Sequence, residues 1–248
     1  MHQEISIISS FYNEEKNIQK FKEEINWAIK FLKKYQIEVL EIILIDNNSS
    51  DNTYKELNNL KFENTNLLIF KNPKERSNYG DGFTKGFLES KTDHVMTIHS
   101  DMQFYLSNFL ENNIQVLKKA IKENTNIFPV RKGRKLTSIF RTYILMIILS
   151  ITTKIIFKEF NGQPKLLYKN HFSSVKEFPS GFSWDCFIYY WLKKNKKKIN
   201  NKCEIFENKR VHGLSSWSNS NFKEHFLFLL SYIKELKKTI ETNEKKNP

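Results

Sequence analysis

The 248-residue chain is 40% hydrophobic and 14% aromatic, with 21 phenylalanines, which excludes an intrinsically disordered protein and suits one large α/β domain. Lys and Arg number 40 against 27 Asp and Glu, a net +13 that favours an anionic partner such as a nucleotide, a nucleic acid or an anionic membrane face. Two cysteines, Cys186 and Cys203, lie too far apart for a metal motif and read as reduced thiols, and neither a signal peptide nor a spanning helix is expected.

Ile5 to Ile8 reads as a first strand, followed by Ser9-Ser10-Phe11-Tyr12-Asn13-Glu14-Glu15. Asn13 is a candidate helix cap, and the acidic pair suits a first helical turn. Ile18, Phe21, Ile25, Ala28, Ile29 and Leu32 then recur at helical spacing. Val39 to Ile45 is a second strand, ending in the polar run Asp46 to Thr53, where Ser49 or Ser50 is a candidate N-cap. Leu67 to Phe70 is a third strand. A loop over 72–82 with Pro73, Gly80 and Gly82 opens a helix reaching about Ser90.

Val95 to Ile98 is a fourth apolar run, of the kind a buried parallel strand shows. His99, Asp101 and Gln103 follow at i, i+2 and i+4, which in an extended chain puts an imidazole, a carboxylate and an amide oxygen on one face. Ligands bind at that edge of open α/β sheets, and this inventory suits a divalent cation holding a phosphorylated ligand. The same residues also read as a polar loop before the next helix, with Ser107 capping 108–122. Ile127 to Val130 is a fifth strand. Strands alternating with helices predict a mostly parallel, doubly wound sheet.

Four segments carry a family resemblance. Residues 12–18 (Y-N-E-E-K-N-I) resemble the Y-N-E-x-x-N-I opening of family-2 glycosyltransferases, and 46–53 (D-N-N-S-S-D-N-T) their D-D-G-S-x-D-x-T. Arg76 with Gly80 and Gly82 resembles R-x-N-x-G-x-G, and 99–103 (H-S-D-M-Q) the D-A-D-L-Q metal motif. The subgroup most resembled is the polyprenyl-phosphate sugar transferases, of the dolichol-phosphate mannose synthase type. The resemblance implies a GT-A fold, an α/β Rossmann-like and mostly parallel sheet with flanking helices. Residues 1–130 would be the nucleotide-sugar-binding core, and 131–248, with C-terminal amphipathic helices, an acceptor and membrane-interface portion completing the same domain. It implies a nucleotide-sugar donor and Mg²⁺ or Mn²⁺. Carried over by motif, Asp101, Gln103 and His99 are metal ligands; Tyr12, Glu14, Asp46, Asp51, Arg76, Gly80, Lys165 and Ser215 meet the donor; and Asp101, Asp185 and Arg210 are catalytic. Ser10, Asn47, Asn48 and above all His99 depart from the family pattern. An imidazole in the metal motif suits Mn²⁺ better than Mg²⁺.

The second half adds a basic cluster at Arg131, Lys132, Arg134 and Lys135, then the apolar stretch Ile139 to Phe157, interrupted by Arg141 and Lys154. It reads either as a buried helix or as one lying in a membrane interface, with the four basic residues on lipid headgroups. Residues 160–168 (F-N-G-Q-P-K-L-L-Y) resemble a bacterial D-x-x-x-Q-P-K-L-F segment that brings Lys165 near the donor. Asp185, at the start of an apolar helix, resembles the family's acceptor-side acid, though an acid in a first helical turn is also stabilised by the dipole. Cys203 to Phe206 is a late strand, and Arg210 to Ser216 resembles R-x-x-G-x-S, which holds the donor diphosphate. Phe222 to Ile240 is a final amphipathic helix.

Two functions remain open on these residues. One is sugar transfer to a polyprenyl phosphate at the cytoplasmic membrane face, or to a hydroxyl of a surface glycan with Asp185 as base. The other is a non-catalytic, membrane-associated nucleotide binder. A nucleic-acid partner is not expected, because the basic residues do not interleave with aromatics on a known module.

Overall fold

The computed structural model describes residues 3–210, 212 and 222–245. In chain order its elements are β1 (Gln3–Phe11), α1 (Ile18–Lys34), β2 (Ile37–Asp46), α2 (Thr53–Asn58), β3 (Asn66–Lys71), α3 (Tyr79–Glu89), β4 (His94–His99) and α4 (Leu106–Lys122). Then follow β5 (Asn126–Ile127), β6 (Val130–Lys132), α5 (Leu136–Thr153), β7 (Lys165–Tyr168), α6 (Trp184–Lys194), β8 (Ile199–Asn200), β9 (Glu204–Phe206) and α7 (Phe222–Glu244).

Seven strands form one sheet in the order β3-β2-β1-β4-β7-β5-β8. The pairs around β1 are parallel, and β7 runs antiparallel to both β4 and β5. Thus a strand from the second half of the chain lies inside the sheet. β6 and β9 pair separately, in parallel. The expected fifth strand is split: Asn126–Ile127 joins the main sheet and Val130–Lys132 joins β9.

The two-residue period of a strand sorts the core into two layers. Ile5, Ile7, Ile42, Leu44, Met96 and Ile98 face α1 and α4, whereas Ile8, Ile43, Ile45 and Val95 pack on the opposite side with Phe83 and Phe87 of α3 and the buried aromatics of α6. The buried positions of α1 are Ile18, Phe21, Ile25, Ala28 and Leu32, the periodic stripe seen in the sequence. Chain order reverses at β1, so the loops after β1, β2 and β4 gather at one carboxyl edge, where open α/β sheets bind ligands.

The caps differ from expectation. Asn13 adopts φ 54° and accepts from the Ser50 amide instead of capping a helix. Asn52, not Ser49 or Ser50, is the N-cap of α2, and the Asp51 carboxylate before it accepts from the Thr53 amide at 2.9 Å. Ser107 lies inside α4, its amide and hydroxyl both donating to Glu24 of α1.

α5 and the basic residues before it bear on two expectations. By length and composition it is long and apolar enough to cross a membrane, with 11% of it buried. Thr142, Met146 and Leu149 pack inward, while Leu136, Phe140, Tyr143, Ile147 and Ile151 are exposed at 58–84%. The adjoining arginines do not face outward. Arg131 and Arg134 are largely buried and ion-paired with Glu159 and Glu207 at 3.2–3.5 Å, which removes both from any headgroup-binding set. Lys132 pairs with Glu204 on the surface. A buried guanidinium stays only where carboxylates offset its desolvation.

Candidate active site

Asp46 ends β2 fully buried, and its carboxylate accepts from the Ser49 amide, an Asx-type turn that shapes the loop. Asn47 links three elements: its Nδ2 donates to Ser10 Oγ and to the Asn78 carbonyl, and its Oδ1 accepts from Asn72. Asp51 accepts from the Thr53 amide through one oxygen and from the Glu15 amide through the other, tying the first two loops together. Tyr12 is exposed, as is Arg76.

The glycines of the 72–82 loop serve packing. A Cβ on Gly80 would lie 2.2 Å from the Pro179 carbonyl oxygen, and one on Gly82 would lie 2.2 Å from Ser10 Oγ. Gly80, assigned to the donor by motif, is therefore required for α3 to approach the backbone of 179–181.

After His99 the chain leaves the extended conformation and Met102 takes φ 56°, so the common face expected for His99, Asp101 and Gln103 does not form. His99 shares strand parity with Val95 and points to the α3 side, where its Nε2 lies 2.9 Å from Tyr79 Oη. Asp101 is 6% exposed; its Oδ2 accepts from Arg210 Nη2 at 2.8 Å and its Oδ1 from the Gln103 amide at 3.2 Å. Arg210 Nε also reaches Gln103 Oε1 at 3.5 Å, and Asn208 binds the Gln103 carbonyl. Residues 207–210 thus deliver a guanidinium to the end of β4. Glu14 stands close by. Burial pushes its carboxyl upward and Asp101 adds to this, against the opposing Asn17 hydrogen bond and Arg210.

Behind this edge lies a polar cluster whose pairings the sequence did not reveal. Lys165 is fully buried, 2.8 Å from Asp185 Oδ1, and Tyr79 Oη donates to Asp185 Oδ2 at 2.6 Å. Gln163, also fully buried, accepts from Thr97. The antiparallel register of β7 places Lys165 opposite Thr97, two residues before His99, and α6 brings Asp185 in its first turn. Burial lowers the Lys165 and His99 values, with Asp185 opposing in both cases. Lys165 and Asp185, both singled out by motif, are thus paired with each other, with Tyr79 on the second Asp185 oxygen. Tyr79 and Glu235, which accepts from the Gly181 amide and Ser183 hydroxyl, were also missed. Tyr79 sits in a stretch whose glycines dominate the signal, and Glu235 is one acid on an amphipathic helix.

Asp101 and Gln103 present oxygens to a cation already, the Arg210 guanidinium. The pair thus fits a hard divalent ion held by one carboxylate, one amide oxygen and substrate phosphates. Among the described residues no three His, Cys, Asp or Glu side chains form a cage for a metal; His99 meets Tyr79 through Nε2, which leaves Nδ1 as its ligating nitrogen. Ser215 lies outside the described residues.

The family model for glycosyl transferase family 2 matches residues 6–186. Among solved structures, glucosyl-3-phosphoglycerate synthase from Mycobacterium tuberculosis in complex with Mn²⁺, uridine diphosphate and phosphoglyceric acid superposes with a TM-score of 0.64 at 14% identity, over 96% of this chain and 78% of that one. The same enzyme with Mg²⁺ and uridine diphosphate gives 0.64 at 15%, over 96% and 79%. Mannosyl-3-phosphoglycerate synthase from Rubrobacter xylanophilus gives 0.66 at 11%, over 99% and 76%. No curated protein matches the chain. The shared architecture is the GT-A fold.

Proposed function

The chain belongs to glycosyl transferase family 2, the nucleotide-sugar-dependent glycosyltransferases, and from that premise we propose that it transfers the sugar to a polyprenyl phosphate at the cytoplasmic face of a membrane, where it is peripherally bound. The observation that carries this acceptor is the bare apolar stripe of α5, Leu136, Phe140, Tyr143, Ile147 and Ile151. Such a stripe enters the interfacial layer, and a lipid acceptor arrives in that plane. With Arg131 and Arg134 consumed by internal ion pairs, the docking is chiefly apolar.

In this reading an acceptor phosphate oxygen attacks the anomeric carbon, the bond from that carbon to the nucleotide diphosphate breaks, and the diphosphate leaves with the electron pair. The acceptor is already an anion, so Asp185 need not act as a base. Arg210 moves from Asp101 to the diphosphate oxygens, which a guanidinium binds in a forked, charge-assisted manner. Asp101 and Gln103 would hold Mg²⁺ or Mn²⁺, which supplies positive charge to the leaving group when bound. Glu14 and the loops around Asp46 and Asp51 border the donor.

A second reading, a small phosphorylated hydroxy acid as acceptor, draws support from the structural neighbours solved with phosphoglyceric acid. Mass spectrometry of products from a panel of nucleotide-sugars, each offered a short-chain polyprenyl phosphate and 3-phosphoglycerate, separates the two. Product on the lipid alone is the expected result; product on phosphoglycerate alone overturns the lipid acceptor.

A further inference from the structure

The Lys165–Asp185–Tyr79–His99 chain fixes the position of a proton on the His99 ring. A phenol has one hydrogen, and an ionised carboxylate has none. Lys165 pairs with Asp185 Oδ1, so the 2.6 Å contact at Oδ2 requires the Tyr79 hydrogen. Tyr79 Oη then has only lone pairs for His99, and the 2.9 Å contact requires a hydrogen on His99 Nε2. A neutral imidazole carries one N–H, so Nδ1 keeps its lone pair. The ring is half-buried, at the carboxyl edge of β4, and among the described residues Nδ1 has no hydrogen-bond partner.

This constrains the ligand. The oxygens of an ionised diphosphate only accept hydrogen bonds, and so does Nδ1, which makes the ring a poor diphosphate contact. A hydroxyl can donate to it. We infer that Tyr79, backed by the buried Asp185–Lys165 pair, is a positioning residue that locks His99 in its Nε2–H tautomer and leaves Nδ1 to accept a hydrogen bond from a hydroxyl of the transferred sugar. The inference deepens the nucleotide-sugar reading and rests on it for the identity of the hydroxyl. The tautomer itself is a property of the free protein.

The test has two arms. Long-range ¹H–¹⁵N correlation spectra of histidine-labelled protein, without substrate and at a pH where the ring is neutral, report the tautomer, with His99 assigned by the signal lost in His99→Gln. The wild type shows the Nε2–H form. Tyr79→Phe gives a mixture. Asp185→Asn moves the population toward Nδ1–H, because the new amide can donate to Tyr79, whose hydrogen then turns to His99; a comparable loss of a carboxylate partner produces the wrong tautomer in catalytic triads. An Nδ1–H wild type, or an unchanged Tyr79→Phe spectrum, overturns the lock. In the second arm, Tyr79→Phe lowers kcat/KM for the nucleotide-sugar about tenfold, the value of one hydrogen bond, while the Kd of the corresponding nucleoside diphosphate stays unchanged. An equal loss for the diphosphate overturns the sugar-hydroxyl assignment. Absence of turnover by the wild type with every nucleotide-sugar counts against the enzyme reading and leaves the spectral result standing.

Discussion

Removing Lys165 tests whether the cluster behind β4 is an ion pair in substance. Its side chain is fully buried, and that of Asp185 is 7% exposed, 2.8 Å away. Lys165→Ala would leave the Asp185 carboxylate in a low-dielectric site with Tyr79 as its remaining donor. Breaking one side of a buried pair costs about 3–5 kcal/mol, which at roughly 2–4 °C per kcal/mol for a chain of this size lowers Tm by about 10 °C. The double variant Lys165→Met, Asp185→Asn removes both charges at similar volume and should recover about half of the loss, on the order of 2 kcal/mol, because no unpaired ion remains. Urea unfolding followed by circular dichroism, run as a double-mutant cycle, measures each step. A Lys165→Ala loss below about 1 kcal/mol, in the range of exposed pairs, would refute the reasoning.

Gly80→Ala forces a Cβ within 2.2–2.8 Å of three backbone carbonyl oxygens at 179–181 and should cost about 1–3 kcal/mol in the same assay. Acid should destabilise the fold early: burial holds His94 and His99 below the ordinary 6.5, so the unfolded chain takes up protons first. The stabilisation is complete above 6.5 and declines as pH falls from there through the folded-state values, so an unfolding midpoint that is flat over that window contradicts the assignment. Asp101→Ala should abolish metal-dependent nucleotide binding while the fold persists, and calorimetry with unchanged affinity in the presence of Mn²⁺ would reject Asp101 as the anchor. Ile147→Ser with Ile151→Ser should reduce co-sedimentation with anionic liposomes, and the wild-type binding should depend only weakly on salt; strong salt dependence would return the contact to the basic residues.

Much of the fold is written locally. The continuous apolar runs of β1, β2 and β4, the helical stripe of α1 and the polar loops at strand ends each depend on residues a few positions apart, and all lie where the chain order placed them. The four family motifs are likewise contiguous, so the family was legible from residues 12–18, 46–53, 76–82 and 99–103. What only the tertiary structure decided is which charges meet. Arg131 and Arg134 read as a lipid-facing patch until Glu159 and Glu207 arrive from distant segments and bury them. Tyr79 and Asp185 are 106 positions apart, and Arg210 and Asp101 are 109 apart. The first pairing follows from α3 and the start of α6 meeting beside β4, where the register of β7 adds Lys165, and the second from the segment after β9 reaching the end of β4. No local periodicity encodes that register, because hydrophobic pattern reports which face a residue takes, whereas the partner of a buried charge depends on which other segment folds across it.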